Sequence, residues 1–341
     1  RRLWASRDRR RRARSETDCR TAVRAREPDE SGCVENAWAR IYYEVFGSGP
    51  VTLLFLPTWS LVHSRVWKLQ VPYLARHYRV IVFDGRGNGK SSRPVEAEAY
   101  SAQTFVDDAL AVMDATGTER AALVGYSMGG LHLAMLAANH ASRVAGAVFI
   151  APVAPFGAKG RPERTSFSWS DPLPTSEGWA KHNKHYWKRE YDDWLQFFAG
   201  KLLTEPHSTK GIEDVIGWGK ETNADVLIGT YEAPDSPGEP PSDRAQAGEY
   251  YARITCPVLV IHGSEDAVIA HSAGAGVAEA TGGTLVTIEG GGHAPHVRHP
   301  VKVNILLRRF MDSIAHPAAR SSRTSPSGRR RSREEYSHTP R

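Results

Sequence analysis

Three side-chain types in this 341-residue sequence stand where together they could break an acyl bond. The sharpest local pattern is Gly125-Tyr126-Ser127-Met128-Gly129, followed by Gly130. It is a G-x-S-x-G arrangement. A nucleophile on a sharp strand-to-helix turn needs glycine beside it, because a side chain there would collide with neighbouring backbone. A serine hydroxyl attacks poorly until a base takes its proton. The candidate base is His293, in Gly290-Gly291-Gly292-His293-Ala294-Pro295. The candidate acid to orient that imidazole is Asp266, in His262-Gly263-Ser264-Glu265-Asp266, with Glu265 as the competing choice. His296 and His299 follow His293 at spacing three, which raises a metal site as an idea. Pro295 and Pro300 argue against a regular helix carrying them, and no carboxylate or cysteine motif accompanies them. They are expected to be loop or helix-cap residues.

Positioning such groups requires a scaffold, and the pattern of the chain predicts one. Strands are expected at 41–46, 51–56, 79–83, 121–124, 144–150, 257–262 and 284–289. Several are near-continuous apolar runs, such as Val-Thr-Leu-Leu-Phe-Leu and Val-Leu-Val-Ile. Strands covered by helices on both faces need this composition. Helices are expected at 102–115, where Phe105, Ala109, Val112 and Met113 share a face, at 131–138 and at 301–314. Alternation of this kind predicts a doubly wound, mostly parallel α/β sheet. The serine motif then falls between a strand and a helix whose dipole points at the reacting oxygen. Asp266 and His293 fall in loops at strand ends, where ligands bind in such sheets.

Residues 153–250 break the alternation. Trp169, Trp179, Trp187, Trp194 and Trp218 gather there with Tyr186, Tyr191, Phe197 and Phe198. Trp187, Glu190, Tyr191 and Trp194 are spaced like one helix face. This segment reads as a helical lid with an aromatic core, inserted between core segments 36–152 and 251–315. The Pro-rich stretch 233–242 reads as the loop leading back.

Charge and composition bound the rest. The formal net charge is +6. Residues 1–26 carry +8 and residues 316–341 carry +5, which leaves −7 for the body between them. Residues 1–35 and 316–341 are Arg-rich, have no hydrophobic period, and are expected to be disordered tails. Their charge alone could attract anionic polymers or membrane weakly, but no interleaved aromatics point to a specific nucleic-acid partner. No run of about 18 apolar residues suggests a membrane span, and no apolar stretch follows the basic start as in a secretory signal. Cys19, Cys33 and Cys256 suggest neither a disulfide framework nor a zinc site. Free thiols in a reducing, cytoplasmic setting are expected, with Cys256 as a small core residue. The first residue is Arg, and the sequence turns abruptly to Arg, Ser and Pro after Ala315. Both features leave room for a piece of a longer protein.

Residues 36–315 resemble the α/β-hydrolase superfamily, and within it 3-oxoadipate enol-lactonases and pimeloyl-carrier-protein methyl esterases. The resemblance rests on separated motifs. Asp84-Gly85-Arg86-Gly87-Asn88-Gly89-Lys90-Ser91 is similar to the family's D-x-R-G-x-G-x-S turn. Gly125–Gly130 is similar to its serine turn, and Gly263–Asp266 and Gly292-His293 are similar to its acid and base loops. The order Ser127, Asp266, His293 is also that of the family. The resemblance implies hydrolysis of a small-molecule ester or lactone by Ser127, His293 and Asp266, without metal or organic cofactor. It also implies an oxyanion hole made by the backbone amide of Met128 and by one from the loop after an early strand. That loop usually contains His-Gly; here it reads Leu56-Pro57-Thr58-Trp59-Ser60. Thr58 or Trp59 can supply the second amide and Pro57 cannot. Losing one such donor costs about 2.7–4 kcal/mol of transition-state stabilisation. Perhydrolysis or C–C bond hydrolysis on the same three residues, and a low-turnover ligand-binding or sensory module, are the alternatives.

Overall fold

A computed structural model describes residues 26–316, apart from 38, 158–162, 164–165, 207–208 and 237–238. The expected tails therefore lie, for 1–25 and 317–341, outside the described residues. In chain order the elements begin with β1 (Glu30–Asn36), β2 (Ala39–Phe46), β3 (Thr52–Phe55), α1 (Val71–Leu74) and β4 (Arg79–Phe83). They continue with α2 (Ala102–Ala115), β5 (Ala121–Tyr126), α3 (Met128–Asn139) and β6 (Val144–Ile150). Next come α4 (Lys184–Arg189), α5 (Tyr191–Leu202), α6 (Lys210–Gly219), α7 (Ala224–Glu232) and α8 (Arg244–Ala252). The chain closes with β7 (Val258–Gly263), α9 (His271–Thr281), β8 (Thr284–Ile288), α10 (Pro295–Arg298) and α11 (Pro300–Ala315).

The strands form one sheet in the order β1-β2-β4-β3-β5-β6-β7-β8. The pairs β1–β2 and β2–β4 are antiparallel, and the others are parallel. Alternate residues of a strand face opposite ways, and the central runs divide accordingly. Leu53, Phe55, Val80, Val82, Val124, Val148 and Ile261 face a core with α1, α11 and the aromatic helices. Leu54, Ile81, Leu123, Ala147, Phe149 and Val260 face a second core with α2, α3, α8 and α9. Both faces being dry explains why these strands read as near-continuous apolar runs.

Four expectations are corrected. The stretch to residue 35, expected as tail, contains β1, which pairs with β2 along its length. Its sequence Glu-Ser-Gly-Cys-Val-Glu-Asn is exposed or half-buried throughout. A polar edge strand is held by backbone hydrogen bonds and leaves no hydrophobic period to read. The single helix face expected through Trp187, Glu190 and Trp194 is two helices. Glu190 sits between α4 and α5 at φ −132°, ψ 49°, and the buried Trp187 and Trp194 pack across the break, ring centroids 4.2 Å apart. The segment 153–250 is not all lid: α8 begins within it, yet Ala247 and Tyr250 pack with Tyr251 in the core under the sheet. Lastly, Pro295, expected to argue against a helix there, starts the short helix α10 that carries His296, while Pro300 starts α11, close to the expected helix at 301–314. Proline is suited to the first helical position, where its missing N–H is not needed.

Among the described residues, no helix is long and apolar enough to cross a membrane.

Candidate active site

Ser127 is the hinge between β5 and α3, with φ 53° and ψ −117°. A non-glycine residue with positive φ is strained, and such strain persists where the surroundings impose it. Here the surroundings are three close approaches, two of them to backbone carbonyls. A Cβ on Gly125 would stand 2.3 Å from the Gly129 carbonyl oxygen, one on Gly129 2.7 Å from that of Pro57, and one on Gly130 2.6 Å from Pro152 Cβ. The turn is tied down by Ser127 N–H to Ile150 O at 3.0 Å.

His293 arrives from the loop after β8 and is buried, 1% exposed. Its Nε2 lies 3.0 Å from Ser127 Oγ, and its Nδ1 lies 2.7 Å from Asp266 Oδ2. An ionised carboxylate accepts hydrogen bonds only, so Nδ1 carries the proton and Nε2 offers its lone pair to the serine hydroxyl. The acid and base loops touch backbone to backbone. A Cβ on Gly263 would stand 2.2 Å from the Gly291 oxygen and 2.3 Å from that of Gly292. Glu265 N–H donates to Gly291 O at 2.9 Å, while the side chain of Glu265, the competing acid, belongs to an exposed residue. The structure brings Asp266 to His293, not Glu265.

Asp266 is fully enclosed and fully satisfied. Oδ1 accepts from Val268 N at 2.8 Å and Ile269 N at 2.9 Å. Oδ2 accepts from His293 and also from His262 Nε2 at 3.0 Å. Burial alone would raise this carboxyl's pKa. The charge that His293 carries once protonated, and the hydrogen bonds from both imidazoles, outweigh burial and hold it well below the usual carboxylate range. His262 was not singled out from the sequence as a site residue. Its position, four residues before the acid at the end of an apolar strand, was the available signal.

The remaining histidines part company. His296 is buried against Trp67 and Tyr126, with ring centroids 4.7 and 4.5 Å away. Burial, helped by the charge of His293 when that imidazole is protonated, pulls its pKa down to about 3. His299 is the N-cap residue of α11.

The loop 57–64 runs beside the serine. Thr58, Trp59, Ser127, Met128 and His293 all line one cavity of about 750 Å³. Met128 is the first residue of α3, and N–H groups of a first helical turn have no partner within the helix. The Trp59 indole Nε1 donates to Thr230 Oγ1 of α7 at 2.7 Å. The D-x-R-G-x-G-x-S turn braces this loop from behind. Asp84 accepts from Ser64 N at 3.1 Å and Lys90 N at 2.9 Å, and Ser60 Oγ donates to Arg86 O at 2.8 Å. Arg86 is itself buried in a two-bonded pair with Asp108, at 2.8 and 2.7 Å. The cavity walls are mainly apolar, with Trp59, Phe105, Phe167, Trp169, Phe198 and Tyr231 among them.

A family model described as alpha/beta hydrolase fold matches residues 51–300. The chain belongs to this family. It is 30% identical over 288 residues to a Synechocystis sp. protein provisionally named as a non-heme chloroperoxidase, covering 82% of this chain and 98% of that one. Among solved structures it resembles the esterase RhEst1 from Rhodococcus sp. ECU1013, with TM-score 0.66 and 26% identity, over 83% of this chain and 98% of that one. It also resembles Est816, described as an N-acyl homoserine lactone degrading enzyme, with TM-score 0.66 and 25% identity, over 82% of this chain and all of that one. The α/β-hydrolase chain thus has esterase and lactone-degrading neighbours.

Proposed function

We propose that this α/β hydrolase is a serine hydrolase cleaving a small-molecule carboxylic ester or lactone through an acyl-enzyme. The observation that carries the reading is the continuous chain from Ser127 Oγ to His293 Nε2 at 3.0 Å and from His293 Nδ1 to Asp266 at 2.7 Å. Ser127 Oγ attacks the substrate carbonyl carbon while His293 takes its proton. Asp266 stabilises the imidazolium that results. The carbonyl oxygen becomes an oxyanion facing the amide of Met128 and that of Thr58 or Trp59. His293 returns the proton to the departing alcohol oxygen, leaving the acyl group on Ser127. Water, deprotonated by His293, then cleaves that ester and restores the serine. For a lactone the departing hydroxyl stays attached to the acyl chain. The cavity of about 750 Å³ and its aromatic walls favour a bulky apolar acyl group.

A second reading is favoured by the chloroperoxidase-named relative. Hydrogen peroxide in place of water would attack the same acyl-enzyme and release a peroxy acid.

The test is a series of p-nitrophenyl esters from acetate to decanoate, with wild type and Ser127→Ala side by side. The reading expects release by wild type alone, fastest for acyl groups longer than acetate. Repeating the assay with peroxide, and measuring peroxy acid, separates the second reading. Equal rates in wild type and Ser127→Ala would refute both.

A further inference from the structure

Between α5 and α6 the chain turns one carboxylate inward. Thr204 and Pro206 are exposed, and Glu205 between them is buried. A buried carboxylate needs partners. Glu205 Oε1 accepts the backbone N–H of Gly292 at 2.7 Å, and Oε2 lies 3.3 Å from Arg298 Nε. Gly292 immediately precedes His293. A Cβ on Gly292 would stand 2.8 Å from Thr204 Oγ1 and 3.2 Å from either oxygen of Glu205. The helical segment over the sheet therefore docks directly on the loop that carries the imidazole.

The loop needs such support. Gly290, Gly291 and Gly292 are consecutive, and glycine has the greatest backbone freedom to lose. The core side holds the first two: Gly290 N–H donates to Ser264 Oγ at 2.9 Å, and Gly291 O accepts from Glu265 N at 2.9 Å. The third is held by Glu205. The influence of Glu205 also reaches the site electrostatically: burial first, then the charges of Asp266 and Glu205, keep the Tyr126 phenol protonated far above its ordinary range.

We propose that Glu205 is a positioning residue for the base: by gripping the Gly292 peptide it sets the angle at which His293 meets Ser127 and Asp266. The kinetic side of this inference rests on the hydrolase reading above, whereas the geometric side can be read in the resting protein. A carboxylate suits the task because one oxygen accepts the Gly292 N–H while the other places its charge beside the Arg298 guanidinium. Glutamine must turn its NH₂ toward either Gly292 N–H or Arg298 Nε, two donors. Aspartate keeps the charge but falls short by about one C–C bond length, ~1.5 Å.

The experiment compares full-chain Glu205→Ala, Glu205→Asp and Glu205→Gln with wild type. The first readout is the proton NMR resonance of His293 Nδ1–H, shifted downfield by Asp266 and assigned by its absence in His293→Ala. The second is kcat and KM for p-nitrophenyl butyrate. Alanine and aspartate should broaden or abolish the resonance and lower kcat ~10–100-fold, since a misplacement of about 1 Å costs rate on that scale. KM should change less than about threefold, because ground-state binding is untouched. Glutamine should fall between, and it carries the test if the alanine variant does not fold. A sharp resonance and kcat within about twofold of wild type in the alanine and aspartate variants would overturn the proposal. So would an intact resonance with KM rising as kcat/KM falls, which marks a residue that only stabilises the lid. If wild type hydrolyses no ester but the resonance is lost in Glu205→Ala, the hydrolase reading fails and the positioning role stands.

Discussion

Replacing Asp266 by asparagine tests the acid at the point where the structure is most specific. The four donors around the carboxylate divide into two sets. Oδ1 takes two backbone amides of its own loop, and Oδ2 takes the imidazoles of His262 and His293. Asparagine keeps the loop only by leaving its carbonyl oxygen at the first position. Its NH₂ then occupies the second and faces His293 Nδ1. Two donors cannot share that contact, so His293 must carry its proton on Nε2 instead. Nε2–H would then point at Ser127 Oγ and could no longer accept the serine proton. An acid-to-amide change that imposes the wrong tautomer lowers kcat by about 10⁴ in serine triads, which is about 5.4 kcal/mol of barrier. The fold should survive, since each lost hydrogen bond costs about 1–3 kcal/mol and the flipped tautomers restore part of that. Steady-state hydrolysis of p-nitrophenyl butyrate, with a thermal melt on the same sample, gives both numbers. Asp266→Asn that folds and retains more than about a tenth of wild-type kcat would refute the tautomer argument. So would Glu265→Gln losing activity in its place.

Other outcomes follow from the same geometry. His262→Leu removes one donor from Asp266 Oδ2 while both backbone amides remain. It should cost ~10-fold in kcat/KM, about 1.4 kcal/mol, and rates equal to wild type would exclude a role for His262 in holding the acid. Thr230→Val takes away the acceptor of the Trp59 indole. It should lower kcat by up to about tenfold through the loop expected to hold the oxyanion, whereas Thr230→Ser should behave as wild type; equal losses in the two would show that the hydroxyl is not what matters. Buried His132 and His296 have pKa values pulled down to about 4 and about 3, in both cases mainly by burial. Their unfolded values are higher, so the unfolded chain binds more protons below about pH 6.5 and stability falls as pH drops. At pH 5 each costs about 2 kcal/mol. Calorimetry should therefore find Tm lower at pH 5 than at pH 7 by on the order of 10 °C, and less so in His296→Phe. A Tm that is flat or rises on acidification would contradict this.

The parts of the molecule that were legible in the sequence are those fixed by local pattern. Strands 79–83 and 144–150 and helix 102–115 coincide with β4, β6 and α2, because two-sided burial and helical spacing write themselves into residue type. Ser127 was legible because close approaches at Gly129, Pro57 and Pro152 demand glycine at fixed offsets around it, a pattern written in residue type. The missed features depend on contacts that residue type does not announce, some close in the chain and some far. β1 is polar and is defined by its pairing with β2. His262 owes its role to Asp266 pointing back at it, and Glu205 lies 87 positions from the glycine it grips. The D-x-R-G-x-G-x-S turn was recognised by resemblance, but its work as a brace became visible only with Ser60, Ser64 and Asp108 in contact with it. Trp187 and Trp194 share a helical spacing and a common core, yet the kink at Glu190 between them left no proline or glycine to announce it.

The central claim is that His293 activates Ser127. The most direct measurement is intact-mass and peptide mass spectrometry after exposure to a fluorophosphonate, which phosphonylates a hydroxyl activated by a neighbouring base and releases fluoride. The account predicts one adduct per wild-type chain, located on Ser127, and none on Ser127→Ala or His293→Ala. An unlabelled wild type, or labelling of Ser127 that persists undiminished without His293, would contradict it.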